Sequence, residues 1–267
     1  MGSTVAIANQ KGGVGKTTST VSLGAQFATF GVKTLVIDFD PQGSATSGLG
    51  CGFHPEGEDL YDVFFGRRSL ADVVVSTSVP NLDLVPASRD LVGLEIELGK
   101  KPGRELILKS ELNLLRTRYE LVLIDCPPSS GLLTLNALGA ADSILIPLQA
   151  EYYSLEGLSQ LMNTVGFVQQ TFNPALALLG LFVTMFDGRT NLAAQVEGEA
   201  RAHFTDKMFD TRIPRSVKLS ECPSHGVPIC VYDSSSPGAR AYRALSLEIA
   251  VRLGIVVGSG GSVDRAA

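Results

Sequence analysis

Asn9-Gln10-Lys11-Gly12-Gly13-Val14-Gly15-Lys16-Thr17-Thr18 lies between an apolar run at residues 5–8 and a helical pattern. A phosphate cradle needs that order of parts. Glycines at 12, 13 and 15 let the backbone turn sharply and aim successive N–H groups inward, and the following helix adds its positive N-terminal end. Lys16 is then expected to reach the β- and γ-phosphates of a nucleoside triphosphate such as ATP, with the Thr17 hydroxyl on Mg²⁺. Val14 and Thr18 complete the loop around the phosphates. The strict form of this loop has glycine where Gln10 stands, and an additional lysine, Lys11, opens the loop instead. Two lysines from one chain crowd each other on the same oxygens. Lys11 is therefore expected to reach the phosphates of a nucleotide held by a second subunit, which makes the active form a homodimer.

Positioning such a loop requires strands that end together and helices that cover them. Residues 5–9 read as a buried parallel strand. In the helix after Thr18, Val21, Ala25 and Ala28, and likewise Leu23, Phe27 and Phe30, recur at i, i+4 and i+7, and Gly31 ends it. Residues 33–38 form the next strand and deliver Asp38 and Asp40 to its C-terminal edge, where open α/β sheets bind ligands. Residues 44–81 weaken into glycine-rich loop with helical pieces at 60–65 and 70–75, and little function is read there. Strands are expected at 82–86, 120–125, 143–147 and 178–184, and helices at 104–118, 155–172, 191–204 and 239–253. The strand at 120–125 ends in a further acid, Asp125. The alternation predicts an α/β fold: a doubly wound, mostly parallel sheet with helices on both faces.

A chain of 267 residues, 45% of them hydrophobic, can bury one large core, and a single domain over 1–257 is expected, with a disordered tail at 258–267. No run of about eighteen apolar residues occurs, and Met1 leads almost directly into a strand without a signal segment, so a cytoplasmic protein is expected. Cys51, Cys126, Cys222 and Cys230 lack Cys-x-x-Cys spacing and are read as reduced thiols, Cys126 as a small buried filler. His54, His203 and His225 are scattered without ligand spacing. A net charge of −5 argues against a wholly basic nucleic-acid binder, so any DNA contact must come from a local patch.

The loop at 11–18 resembles the deviant Walker A motif of the ParA/MinD ATPases. Asp38-Phe39-Asp40-Pro41-Gln42-Gly43, followed by Ala45-Thr46-Ser47-Gly48-Leu49-Gly50, resembles the first switch of the Soj branch, and Ile124-Asp125-Cys126-Pro127-Pro128-Ser129 resembles its Walker B strand and second switch. Glu151-Tyr152-Tyr153, Thr184-Met185-Phe186-Asp187, Ile213-Pro214-Arg215 and Pro223-Ser224-His225-Gly226 match that branch in order and spacing. The resemblance implies a P-loop ATPase that hydrolyses ATP slowly with Mg²⁺. Asp40 falls on the residue that orients the attacking water, Asp125 on the one that holds Mg²⁺ through a water, and Asp38 is expected to support that shell. Pro214, Arg215 and Ser216 fall near the adenine, with Ser216 in place of the usual asparagine. Arg189 and Lys218, the latter where arginine is usual, fall on the surface that binds double-stranded DNA without sequence preference, and Arg240 and Arg243 are expected to reinforce it. The resemblance further implies chromosome or plasmid segregation on the nucleoid, with a ParB-like centromere-binding partner that stimulates hydrolysis. Three alternatives stand beside it. A MinD-like regulator at a membrane needs a basic amphipathic C-terminal helix, where residues 257–267 offer only Arg265; no membrane partner is expected. An iron–sulfur relative needs a cysteine several residues beyond Asp125, where Cys126 follows directly. Positioning of another cargo would use the same engine.

Overall fold

The computed structural model describes residues 2–55, 58–151 and 154–258. The chain runs β1 (Ser3–Ile7), α1 (Lys16–Thr29), β2 (Thr34–Asp38), α2 (Ser44–Gly48), α3 (Leu60–Phe64), a 3₁₀ turn (Leu70–Val73), β3 (Val75–Ser76), β4 (Leu82–Val85) and α4 (Leu94–Glu97). Next come α5 (Ile107–Leu115), β5 (Leu121–Asp125), α6 (Leu132–Ala140), β6 (Ser143–Gln149), α7 (Ser154–Thr171) and β7 (Ala177–Thr184). The last elements are α8 (Asn191–Phe204), α9 (Val217–His225), α10 (Ile229–Tyr232) and α11 (Pro237–Leu253).

Among the described residues the strands form one sheet of seven in the order β3-β4-β2-β5-β1-β6-β7. Every pairing is parallel except β3 with β4 at one edge. Side chains alternate across a strand, so each central strand feeds two cores. Ala6, Leu35, Ile37, Val122, Ile124 and Ile146 join one, packed with Leu108, Leu112, Leu138 and Val165 of the helices on that face. Val5, Ile7, Val36, Leu123 and Leu145 join the other, under Leu23 and Phe27 of α1 and Tyr242, Leu245 and Ile249 of α11. Burial on both faces explains why these strands read as unbroken apolar runs. Helix α1 lies so close to the sheet that a Cβ on Gly24 would fall 2.8 Å from Val36 Cγ2.

Three expectations are corrected. The helix foreseen at 104–118 is interrupted: a 3₁₀ turn (Arg104–Leu106) leads to Leu106 at φ −121°, the helix restarts at Ile107, and a second 3₁₀ turn (Arg116–Arg118) ends it. Asn136 of α6 bridges the break, accepting from the Leu108 N–H at 3.1 Å and donating to the Arg104 carbonyl at 2.8 Å. The piece at 70–75 is a 3₁₀ turn whose end becomes the antiparallel edge strand β3. Residues 44–48, read as loop, form α2. Of the tail foreseen at 258–267, the Gly258 N–H donates to the Phe30 carbonyl at 3.3 Å, and 259–267 lie outside the described residues.

Candidate active site

The parallel register brings the strand-end acids together. Asp38 of β2 stands opposite Asp125 of β5, and Asp125 stands opposite Ile7 of β1, the strand that leads into the glycine-rich loop. Gly13 and Gly15 adopt φ of 75° and 88°, the left-handed conformation glycine reaches without strain, and a Cβ at Gly12 or Gly13 would meet only open space. The loop is an open cradle at the N-terminus of the fourteen-residue α1.

Asp125 is fully buried; its Oδ2 accepts from Thr17 Oγ1 at 2.7 Å and its Oδ1 from Thr20 Oγ1 at 3.1 Å. Burial pushes its pKa well above the usual carboxylate range, and the Asp38 charge adds to the rise. Asp38 is equally buried and likewise raised by desolvation, opposed by its hydrogen bonds. Its Oδ2 accepts both the N–H and the hydroxyl of Thr46, each at 2.7 Å, and its Oδ1 accepts the Asp40 N–H at 3.3 Å. Each Asp38 oxygen is thus engaged by the segment that follows β2, Oδ1 by Asp40 in the turn and Oδ2 by Thr46 in α2, so this acid anchors that segment while adding negative charge beside Asp125. Burial also lowers the Lys16 pKa, with Asp125 pulling the other way. The Lys16 ammonium donates to the Lys11 carbonyl at 3.1 Å. Two desolvated carboxylates beside a threonine hydroxyl suit a hard divalent cation, whose charge would offset the desolvation. The donor set therefore fits Mg²⁺.

A cavity of about 380 Å³ opens above the loop, lined by Gly13, Lys16, Thr17, Asp40, Ser47 and Pro223 among others. Asp40 reaches it from the turn after β2, where its carboxylate accepts the Gln42 N–H at 3.0 Å. A neighbouring recess of about 260 Å³ brings Thr18 together with Met185, Pro214, Arg215 and Ser216. The three residues expected near a base thus meet the phosphate loop. Met185, part of a matched motif but assigned no role there, borders both recesses and holds φ of 50°, rare for a side-chain-bearing residue. The continuation of the first-switch motif folds as α2, which Thr46 ties to Asp38, and Ser44, Ser47 and Gly48 line the cavity. Gly50, just beyond α2, and Gly226, closing α9, meet backbone to backbone: a Cβ on Gly50 would sit 2.8 Å from the Gly226 carbonyl oxygen.

Lys11 is not among the residues lining the cavity. Its ammonium pairs with Glu151, which also accepts from Gln149 Nε2 at 2.6 Å. Tyr152 and Tyr153, which follow Glu151 in the motif noted above, lie outside the described residues. The start of α11, which carries Arg240, packs on α9, which carries Lys218: a Cβ on Gly238 would fall 2.9 Å from Leu219 Cγ. Arg189 and Lys218 follow the bridged residues Phe186 and Pro214. Arg240 donates to the Ser235 carbonyl at the start of α11, and the Arg243 guanidinium stacks 5.1 Å over Phe30, at the end of α1 away from the phosphate loop.

A strand, a glycine-rich loop and a helix at the C-terminal edge of a parallel sheet, with a threonine and a strand-end acid facing each other, define a P-loop nucleotide hydrolase. Residues 2–178 match a family model described as an AAA domain. The sporulation initiation inhibitor protein Soj of Bacillus subtilis is 51% identical over 250 residues, which cover 94% of this chain and 99% of that protein. The chromosome-partitioning ATPase Soj of Treponema pallidum is also 51% identical, over 95% of this chain and 99% of that one. A cobyrinic acid a,c-diamide synthase from Mycobacterium smegmatis, solved with an ATP analogue and magnesium, superposes with a TM-score of 0.84 at 35% identity, covering 98% of this chain and 100% of that one. The chain belongs to the Soj/ParA family of chromosome-partitioning ATPases. Among the described residues no helix is long and apolar enough to cross a membrane.

Proposed function

We propose that the chain is a Mg²⁺-dependent ATPase domain, spanning residues 1–257, whose ATP-bound form is a homodimer that binds double-stranded DNA without sequence preference. A ParB-like centromere-binding protein then stimulates hydrolysis and release, which moves chromosomal or plasmid DNA over the nucleoid in the cytoplasm. The observation that carries this reading is the separation of the two loop lysines: Lys16 lines the phosphate cavity, whereas Lys11 lies outside it against Glu151.

Hydrolysis of a phosphoanhydride asks the protein for charge neutralisation and a positioned water, with little covalent work. Lys16 and the N–H groups of residues 12–18 neutralise the phosphate oxygens. Thr17 and Asp125, with Asp38 behind them, would hold Mg²⁺, which supplies further positive charge on the phosphates. Asp40, half-buried at the cavity wall, orients the water and accepts its proton. Pro214, Arg215 and Ser216 border the base. Lys11 leaves Glu151 and completes the partner's site, so that turnover waits for assembly. Arg189 and Lys218 contact the DNA backbone, with Arg240 and Arg243 reinforcing that contact.

Light scattering with Mg²⁺ and a non-hydrolysable ATP analogue tests the reading. A nucleotide-dependent dimer is expected for the wild type, and a monomer without turnover for Lys11→Ala. A wild type that stays monomeric, or a Lys11→Ala variant with full turnover, would refute it.

A further inference from the structure

The loop after β7 and the segment before α9 run side by side: Phe186 and Pro214 form a parallel bridge, and the Arg215 N–H donates to the Phe186 carbonyl at 3.3 Å. This places Arg189, Arg215 and Lys218 on neighbouring stretches of one surface. The first and last of these cations already have acidic partners. Arg189, 89% exposed, sets its guanidinium fork on Asp187, with Nε 2.9 Å from Oδ1 and Nη2 2.6 Å from Oδ2. Lys218 Nζ lies 3.2 Å from Glu221 and 5.3 Å over the Tyr232 ring, and the Tyr232 hydroxyl donates to the same Glu221 at 3.0 Å. A forked guanidinium–carboxylate pair uses the donors that a phosphate would take, so the two anions compete for one geometry.

We infer that Asp187 and Glu221 are built-in competitors for DNA phosphate, which hold the affinity of each subunit for duplex low until Arg189 and Lys218 exchange carboxylate for phosphate. This rests on the DNA-binding reading above and names the residues that set its strength. Both ion pairs reach solvent, with the two carboxylates half-buried, and surface pairs of this kind are individually weak, so they yield to a polyanion without a structural change. A single subunit then holds DNA poorly. Two linked faces hold it well, because the second contact forms at high effective concentration. Loss of the dimer releases the DNA.

The test measures duplex affinity against salt for the full chain loaded with Mg²⁺ and a non-hydrolysable ATP analogue, using a random-sequence duplex. The wild type is compared with Asp187→Asn, Glu221→Gln, Lys218→Ala, and Glu221→Gln combined with Lys218→Ala. One more phosphate neutralised adds about 0.9 to the log–log salt slope, which is up to roughly eightfold in affinity at 0.1 M salt for each engaged face. Each single carboxylate variant is expected to gain in that direction and to steepen the slope. The Glu221→Gln gain should vanish when Lys218 is alanine, since it acts by freeing that ammonium. A gain that survives the loss of Lys218 comes from the general field of the removed charge and overturns the inference. Wild-type binding with both single carboxylate variants unchanged in affinity and slope overturns it as well, leaving the DNA-binding reading intact. No binding by any form, wild type included, removes that reading and this inference with it.

Discussion

Replacing Thr46 by valine should cost this protein about 4 kcal/mol of stability, because one hydroxyl serves two buried groups. Thr46 Oγ1 donates to Asp38 Oδ2 at 2.7 Å and accepts the Ala87 N–H at 2.9 Å, and Thr46 itself is only 1% exposed. Valine keeps the shape and removes both bonds. Loss of a hydrogen bond to a carboxylate costs about 1.5–3 kcal/mol, and an orphaned buried N–H adds about 1–3 kcal/mol. The Asp38 carboxylate, already desolvated, keeps only backbone donors. Thr46→Ser is the matched control: it retains both bonds and deletes one methyl group, at about 1 kcal/mol. Urea unfolding without nucleotide would read the difference as a midpoint lowered by roughly 1 M for valine and by a fraction of that for serine. Equal midpoints for the two variants would refute the reasoning, since packing alone would then account for the site.

Four further outcomes are expected. Lys16→Ala should abolish ATP binding, measured by titration with a fluorescent analogue; unchanged affinity would remove Lys16 from the phosphate site. Asp40→Ala should bind ATP and accumulate as a dimer with turnover reduced at least about a hundredfold, the usual scale for losing a general base; normal phosphate release would exclude it. Burial raises the pKa of Asp125 and Asp38 in the folded state, so the folded chain binds protons more tightly than the unfolded one. Without Mg²⁺ and nucleotide, the contribution of these two groups should therefore be most favourable at acid pH and fall as pH rises out of the carboxylate range toward and past neutrality, and Asp125→Asn should make the wild-type fall over that range shallower in urea melts. A wild-type midpoint that rises over the same range, or a slope unchanged by Asp125→Asn, would contradict it. Gly50→Ala forces a side chain into φ +72° and against a carbonyl, which should cost about 2 kcal/mol or more; a neutral thermal melt would show that the contact yields freely.

The sheet and phosphate loop were legible because burial on both faces writes strands as apolar runs, and because glycines, a lysine and a threonine at fixed spacing leave few other readings. Strand-end acids were legible for the same reason: Asp38 and Asp125 each close such a run. The rest depends on short or irregular pieces. Helices α2 and α10 have five and four residues, too few for a period to register. Helix α6 is apolar around most of its surface and shows no stripe, and α9 carries Pro223 inside it, which argues against a helix in any local reading. The Lys11–Glu151 pair spans 140 positions in sequence, and only the folded chain brings it together.

The contact between Gly50 and Gly226 has a mechanical consequence. With no side chain on either partner, nothing compressible separates the end of α2, whose residues line the larger cavity, from the end of α9, whose Leu219 and Pro223 border both recesses. Pressure on one would be transmitted to the other as through a rigid strut. The same helix carries Lys218 outward, so a displacement of α2 would shift the posture of that surface cation with it.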